Sequence, residues 1–281
     1  MKVYTAEEAG FCFGVKRALN LINRLHENGE SIQIYGELIH NKTVMKDLEN
    51  KGIFSLDSLE KLDPKKKLII RTHGIPVYEE EELIKNGTKY EDLTCPLVKK
   101  IHNIIKNINN SETIIIVGNR NHPEIKAIKS FTKKGIVVNS LKEVKELPDF
   151  EKVSVVAQTT LDTDFFNEII EEIKRKFKQV SLFDTICYAT KVRQEAVKRL
   201  APKVDFVIVI GGHNSSNTKK LFEISGEFNK NTFHIDNSNE LNNPDLQRSF
   251  SGFNSVGITA GASTPPEEIE KVKKFFQKFN N

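Results

Sequence analysis

The residues best suited to chemistry in this sequence are three cysteines, Cys12, Cys95 and Cys187, which are spaced almost evenly along 281 residues. One interpretation is three unrelated buried thiols, because cysteine often packs as a small hydrophobic residue. Even spacing instead suggests an internal repeat with one cysteine in each copy. An odd number of cysteines also excludes a framework in which every thiol is paired in a disulfide.

The sequence that follows each cysteine supports the repeat. A lysine stands four residues after each one, and apolar residues then recur at helical spacing, so each cysteine is predicted to precede a helix. Every copy continues with a strand, a polar loop, a helix, a turn, a short helix, a second strand and a second loop. The turns are predicted at Lys51-Gly52-Ile53, Lys134-Gly135-Ile136 and Lys230-Asn231-Thr232.

This order predicts an α/β fold of three units related by pseudo-threefold symmetry, with mostly parallel sheets, arranged as a trefoil. The units are expected at 13–94, 95–186 and 187–281. A strand is predicted just before Cys95 and just before Cys187, whereas only the N-terminal segment 1–12 offers one before Cys12. We therefore expect the N-terminal strand to complete the third unit.

Three cysteines in equivalent positions could hold a metal centre. Each lies at a predicted helix N-terminus, where the partial positive charge favours a thiolate. Thiolates bind zinc, copper or iron–sulfur clusters. Structural zinc is usually closed by four ligands, and a 4Fe–4S cluster normally takes four cysteines, so three would leave one iron open to a substrate. From the residues alone, three interpretations of the cysteines stay open: they bind an iron–sulfur cluster, they bind zinc, or they bind no metal.

Polar loops follow the predicted strands, and open parallel sheets bind ligands at these carboxyl ends. Hydroxyl, amide and imidazole groups beside helix N-termini suit an anion with several oxygens, such as a diphosphate. The alternative is that these residues only form turns and helix caps. The loops contain His40-Asn41, Thr72-His73-Gly74, His122-Pro123-Glu124, Gln158-Thr159-Thr160, Ser215-Ser216-Asn217-Thr218 and Thr259 to Ser263.

Glu124 is the carboxylate of these loops that stands beside a histidine, two residues after His122. A carboxyl group in a closed site can have its proton affinity tuned for acid catalysis. A glutamate in the first turn of a helix is also favoured by the helix dipole alone. Two interpretations of Glu124 therefore stay open: it is an acid catalyst, or it only stabilises the start of a helix.

Composition and charge exclude several other classes of protein. Hydrophobic residues make up 38% of the chain, which is typical of a globular protein. The net charge of +4 is small and scattered, so nucleic acid is not an expected partner. No apolar stretch is long enough to span a membrane, and the N-terminus does not resemble a signal peptide. We therefore expect a cytoplasmic protein.

Nine motifs, in order, resemble the 4-hydroxy-3-methylbut-2-enyl diphosphate reductase family, also called LytB or IspH. The resemblance covers essentially the whole chain. One departure is Asn121, where the family usually has glycine. The motifs are G-F-C-F-G-V at 10–15, I-H-N at 39–41, T-H-G at 72–74, T-C-P-L-V at 94–98, H-P-E at 122–124, A-Q-T-T at 157–160, I-C-Y-A-T at 186–190, S-S-N-T at 215–218 and T-A-G-A-S at 259–263.

The resemblance implies a function and a role for each matching residue. The reaction would be reductive dehydroxylation of (E)-4-hydroxy-3-methylbut-2-enyl diphosphate to isopentenyl and dimethylallyl diphosphate, the last step of the methylerythritol phosphate pathway. The cysteines would bind a central 4Fe–4S cluster with one open iron, and Glu124 would deliver protons. The substrate would be bound by His40, His73, His122, Thr159, Ser215, Ser216, Asn217 and Ser263.

The resemblance also implies partners, and two rival interpretations stay open beside it. The expected electron donor is a ferredoxin or a flavodoxin, and the chain is expected to be a monomer or a weak dimer. One rival is another three-cysteine cluster enzyme resembling quinolinate synthase, which would need loops for carboxylate substrates. The other is a cluster protein that senses redox state without catalysis, for which a concentrated basic face would be expected if it binds nucleic acid.

Overall fold

The structure is a computed structural model that describes residues 1–108 and 112–279. Strands and helices alternate along most of the chain. The first part forms β1 (Lys2–Thr5), α1 (Phe13–Glu27), β2 (Ile32–Tyr35), α2 (Lys42–Asn50), β3 (Phe54–Leu56), β4 (Lys67–Ile70), α3 (Val77–Lys85) and β5 (Tyr90–Asp92). The middle part forms α4 (Pro96–Asn107), β6 (Thr113–Val117), α5 (Pro123–Ser130), β7 (Gly135–Val138), α6 (Leu141–Glu146), β8 (Lys152–Ala157), α7 (Thr163–Lys176) and β9 (Gln179–Leu182). The last part forms α8 (Tyr188–Leu200), β10 (Phe206–Ile210), α9 (Ser216–Phe228), β11 (Thr232–Ile235), α10 (Pro244–Arg248), β12 (Ser255–Ala260) and α11 (Pro266–Lys278).

The strands form three four-stranded sheets with the same order. The orders are β3-β2-β4-β5, β7-β6-β8-β9 and β11-β10-β12-β1, and every pair of neighbours is parallel. The predicted α/β class with parallel sheets is therefore confirmed. The N-terminal strand also completes the third sheet as predicted, because β1 pairs with β12 in a register that places Lys2 opposite Ser255 and Thr5 opposite Ile258.

The chain folds into two compact units, which we call terminal and central. The terminal unit consists of Met1–Arg17, Ile39–Lys51 and the chain from Tyr188 onward, and it contains the third sheet. The central unit consists of Ala18–Leu38 and Gly52–Cys187 and contains the other two sheets. The boundaries expected from the repeat, at 13–94, 95–186 and 187–281, stay a prediction.

Alternating side chains along the central strands explain why helices cover both faces of a sheet. On β6, Ile115 and Val117 pack in one cluster with Phe166 of α7, whereas Ile114 and Ile116 pack in another with apolar residues of α4 and α5. Each such isoleucine is almost fully buried, which stabilises the fold by about 1.5–3 kcal/mol per side chain. Two apolar faces on one strand are typical of parallel sheets.

The edge strands β3, β7 and β11 and the short helix α10 were not expected from the sequence. Gly135, Ile136 and Thr232 belong to strands, although the pattern predicted turns at these positions. These strands are three or four residues long, and β3 is mostly exposed. Strands this short show no clear alternation of apolar and polar residues, so their pairing depends on the neighbouring strand. Within the described ranges no helix has the length and apolar character needed to cross a membrane.

Candidate active site

The three cysteines occupy equivalent positions in the structure. Each stands just before or at the start of a helix, after the fourth strand of its sheet. Each backbone N–H donates to a carbonyl in the loop after the third strand of that sheet. The acceptors are Ala262 for Cys12 at 3.0 Å, Thr72 for Cys95 at 2.9 Å and Thr159 for Cys187 at 2.9 Å. All three lie in the described chain, are partly exposed and form no disulfide.

Glu124 is nearly completely buried in the first turn of α5, with 1% of its surface exposed. One carboxylate oxygen accepts the backbone N–H of Thr159 at 2.6 Å, and the other accepts the Thr159 hydroxyl at 2.7 Å. Burial raises the pKa of Glu124 from 4.5 to about 7, although the two bonds from Thr159 oppose that rise. Near neutral pH the group is therefore able both to release and to take up a proton.

Thr159 connects this carboxyl group to a cysteine. Its N–H and hydroxyl bind Glu124, and its carbonyl accepts the backbone N–H of Cys187. The three residues lie on separate segments, since Glu124 lies in the first turn of α5, Thr159 follows β8 and Cys187 precedes α8. In the central unit, Thr159 therefore links a candidate proton donor, Glu124, to a candidate metal ligand, Cys187.

Two of the predicted histidines lie together in the central unit. The rings of His73 and His122 meet edge to face, with centroids 5.4 Å apart. His122 caps α5, because its Nδ1 accepts the backbone N–H of Glu124 at 3.2 Å. This bond places the proton of a neutral ring on Nε2, which is the nitrogen able to donate to an anion. His122 is thus a helix cap, as the alternative proposed, and it also adjoins Glu124.

In the terminal unit, the structure brings His40 and Ser263 together. The Ser263 hydroxyl donates to the His40 carbonyl at 3.1 Å, and Ser263 is 7% exposed. His40 itself is half-buried in the loop between β2 and α2. Residues far apart in sequence therefore meet at the carboxyl ends of strands, where the sequence predicted a binding site.

Ser215, Ser216 and Asn217 begin α9 in the same unit. Ser215 is the helix cap, because its hydroxyl accepts the backbone N–H of Thr218 at 3.3 Å. Ser216 is half-buried in the first turn. Asn217 does not cap the helix: it is 4% exposed, and its Nδ2 has no hydrogen-bond partner within the described chain. A buried amide donor without a partner is costly, so its presence favours a ligand that accepts from it.

Sequence reasoning missed Arg193 on α8. Its side chain is 1% exposed and donates to the carbonyls of Gly10 and Ala189. The available signal was the weaker apolar stripe of this helix, whose buried face includes Arg193 and Gln194. The apolar stripe of α8 is weaker because polar side chains share its buried face, and Arg193 is held there by its bonds to two carbonyls.

A model of the LytB protein family matches residues 3–277. The chain belongs to the LytB family.

Relatives within the LytB family are similar over their whole length. The 4-hydroxy-3-methylbut-2-enyl diphosphate reductase of Aquifex aeolicus (strain VF5) is 43% identical, covering 98% of this chain and 96% of its own. That of Thermoanaerobacter sp. (strain X514) is 45% identical with the same coverage. The Plasmodium falciparum E-1-hydroxy-2-methyl-but-2-enyl-4-diphosphate reductase structure is 30% identical, with a TM-score of 0.93, over 99% of this chain and 89% of its own.

A second solved structure is also similar to this chain. It is described as (E)-4-hydroxy-3-methyl-but-2-enyl diphosphate reductase, the terminal enzyme of the non-mevalonate pathway. It is 42% identical, with a TM-score of 0.71, and the match covers 99% of this chain and all of that one. LytB proteins are in general iron–sulfur dependent. Three cysteine thiols at equivalent helix starts are a donor set that fits such a group.

Asn121 departs from the usual LytB glycine without distorting the loop. Its φ angle lies outside the left-handed region, in which only Glu8 is found among the described non-glycine residues. Its N–H donates to the Asn119 side chain at 2.9 Å. A glycine is therefore not required here for conformational reasons, and the loop still places His122 and Glu124 at the start of α5.

Proposed function

We propose that this chain reduces (E)-4-hydroxy-3-methylbut-2-enyl diphosphate to isopentenyl and dimethylallyl diphosphate. The observation that supports this most strongly is the buried Glu124, which is held by Thr159 and has a pKa near 7. LytB family membership supplies the substrate class. We further infer that a ferredoxin or flavodoxin supplies the electrons.

We propose Cys12, Cys95 and Cys187 as the ligands of a 4Fe–4S cluster. When bound, such a cluster supplies single electrons and an iron with an open position. The chain contributes the thiols and the loop carbonyls of Ala262, Thr72 and Thr159 that fix the backbone at each cysteine. These bonds use the backbone N–H of each cysteine, and the thiol sulfur is the proposed ligand atom.

Substrate binding is assigned to two sets of polar residues, one in each unit. In the terminal unit, His40, Ser215, Ser216, Asn217 and Ser263 supply hydroxyl, amide and imidazole groups for the diphosphate. Ser215, Asn217 and Ser263 are buried, so little water competes there and their hydrogen bonds to an anion are stronger. In the central unit, we assign substrate contacts to His73, His122 and Thr159.

Glu124 is proposed to deliver the protons that the reaction consumes. Loss of the hydroxyl group as water requires a proton, and one more is added to the hydrocarbon product. The protonated Glu124 is close to the Thr159 hydroxyl, which accepts and donates hydrogen bonds at once and can pass a proton on. Because one carboxyl group carries a single proton, Glu124 is protonated again from solvent after each of the two proton transfers.

The proposed function is tested by turnover under anaerobic conditions. The purified chain, with its cluster reconstituted, is mixed with (E)-4-hydroxy-3-methylbut-2-enyl diphosphate and reduced viologen, and the products are separated by mass spectrometry. Both five-carbon diphosphates are expected, together with oxidation of two viologens per product. A cluster-loaded chain that leaves this substrate unchanged would contradict the proposal.

The pKa of Glu124 makes the pH dependence of turnover predictable. Because the acid form is required, kcat is expected to fall as pH rises through about 7, the pKa of this group. The measurement is kcat between about pH 6 and 8 with saturating substrate and the same reduced viologen concentration. A flat profile, or the same fall in the residual activity of Glu124→Gln, would count against this assignment.

Asn217 offers a test of the diphosphate assignment alone. Asn217→Ala removes a buried donor to a charged group, so the Kd of inorganic diphosphate is expected to rise about ten- to hundredfold. Isothermal titration calorimetry measures this without turnover. The matched control is Asn239→Ala, an exposed asparagine in the same unit. Equal Kd values for Asn217→Ala and the control would remove Asn217 from the site.

A further inference from the structure

Arg193 breaks the pattern of the internal repeat. It stands six residues after Cys187, and the residues six after Cys12 and Cys95 are Ala18 and Ile101. Ala18 and Ile101 are fully buried, as expected for the core-facing side of a helix, and Arg193 is buried to the same extent, at 1% exposed. An arginine stays protonated when it is buried, so this copy of the helix carries a buried charge at a position where the other two copies have an apolar side chain.

The guanidinium group makes one short bond within α8 and one to a separate segment of the terminal unit. Nη2 donates to the Gly10 carbonyl at 2.6 Å, and Nη1 donates to the Ala189 carbonyl at 2.8 Å. Gly10 lies in the loop before Cys12, and Ala189 lies in the first turn of α8. Hydrogen bonds from a charged donor are about twice as strong as neutral ones.

The loop that carries Gly10 differs from its counterparts in the repeat. It comprises residues 6–11 between β1 and Cys12, whereas only 93–94 separate β5 from Cys95 and 183–186 separate β9 from Cys187. It also holds two residues in the left-handed region, Glu8 with φ of 60° and Gly10 with φ of 94°. Glycine adopts such an angle without cost, but at Glu8 the angle is unfavourable and persists only where the surrounding structure holds the loop.

We propose that Arg193 is the positioning residue for Cys12. Its bond to Gly10 fixes the loop two residues before the cysteine, and the bond from the Cys12 N–H to the Ala262 carbonyl fixes the backbone of the cysteine itself. The other two cysteines follow shorter loops and need no such residue, so their helices carry an apolar side chain at this position. This inference rests on the proposed role of Cys12 as a cluster ligand.

A second arginine of α8 supplies the matched control. Arg199 donates to Glu7 of the same loop at 2.8 Å, but both side chains are mostly exposed. Exposed ion pairs contribute little to stability. Arg193 and Arg199 therefore reach the same loop from the same helix, and only the buried one is expected to affect Cys12.

The experiment compares the cluster-loaded wild type with Arg193→Met, Arg193→Lys and Arg199→Met. The readouts are the rate of iron loss to an added chelator, iron and sulfide per chain, and unfolding of each metal-free chain. Arg193→Met is expected to lose iron about ten- to hundredfold faster than the wild type. Lysine keeps the positive charge but has a single nitrogen in place of the two that bind the carbonyls, so Arg193→Lys is expected to lose iron at an intermediate rate. Arg199→Met should match the wild type.

Each outcome decides for or against the inference. Wild-type rates of iron loss in both Arg193 variants would overturn it, even if their metal-free chains unfold more easily, because Arg193 would then serve only the core. If Arg193→Met does not fold, Arg193→Lys decides alone. A wild-type chain that takes up iron but reduces no substrate would contradict the proposed function and leave this test intact.

Discussion

Replacing Glu124 with glutamine is expected to lower kcat by about a hundred- to ten-thousandfold, the usual contribution of a positioned acid or base. Glutamine has the same shape, and its carbonyl oxygen can accept the Thr159 N–H as the carboxylate does. Its amide can donate to the Thr159 hydroxyl oxygen, so the local structure should be kept. What is lost is the exchangeable acid proton.

Binding of the substrate should change little in the same variant. The diphosphate is assigned to other residues, so the Kd of inorganic diphosphate is expected to stay within about twofold of the wild type. The measurements are single-turnover rates, steady-state kcat and calorimetry, each with the cluster content determined. Glu168→Gln is the matched control, because Glu168 is exposed on α7 in the same unit. Turnover of Glu124→Gln at the wild-type rate would remove Glu124 from the mechanism.

Replacing any one cysteine with serine is expected to lower turnover at least as much as Glu124→Gln does. A serine oxygen is a harder donor than a thiolate and binds iron–sulfur clusters less well. Loss of outer-shell partners already lowers metal affinity about ten- to hundredfold, so loss of a ligand should exceed that. Iron and sulfide content, the visible spectrum and turnover are expected to fall together in Cys12→Ser, Cys95→Ser and Cys187→Ser.

The control for these variants introduces a serine without removing a thiol. Leu97 is 41% exposed and stands two residues after Cys95 in the first turn of α4, so Leu97→Ser alters the same helix start. It is expected to retain the iron content of the wild type. If all three cysteine variants also retained it, the ligand assignment would be wrong, whereas loss in only one or two would show which thiols are not ligands.

The repeat made much of the fold predictable. Three cysteines followed by matching segments predicted three sheets, and the missing fourth strand of the last repeat predicted that β1 closes it. The edge strands β3, β7 and β11 were not predictable in the same way. Their few residues are too short for a period to be visible, and they become strands only because β2, β6 and β10 offer free edges.

The candidate residues were predictable by type, but their interactions were not. A sequence places Glu124 beside His122, yet it does not show that Thr159 reaches the same carboxyl group with two bonds. It also does not show that the Asn217 Nδ2 has no hydrogen-bond partner among the described residues, or that Arg193 binds two carbonyls. Each of these depends on burial and on partners far away along the chain.

By itself, the sequence determined the α/β class, the parallel sheets, the closure by β1 and the equivalence of the three cysteines. These features follow from the period of apolar residues and from the order of the repeated segments, both of which can be read along the chain. The tertiary structure decided which side chains are excluded from water and what they contact. Burial is what raises the pKa of Glu124 to about 7 and so makes an ordinary helix-start glutamate a candidate acid. That change of chemistry comes from segments packed around it, which no local pattern encodes.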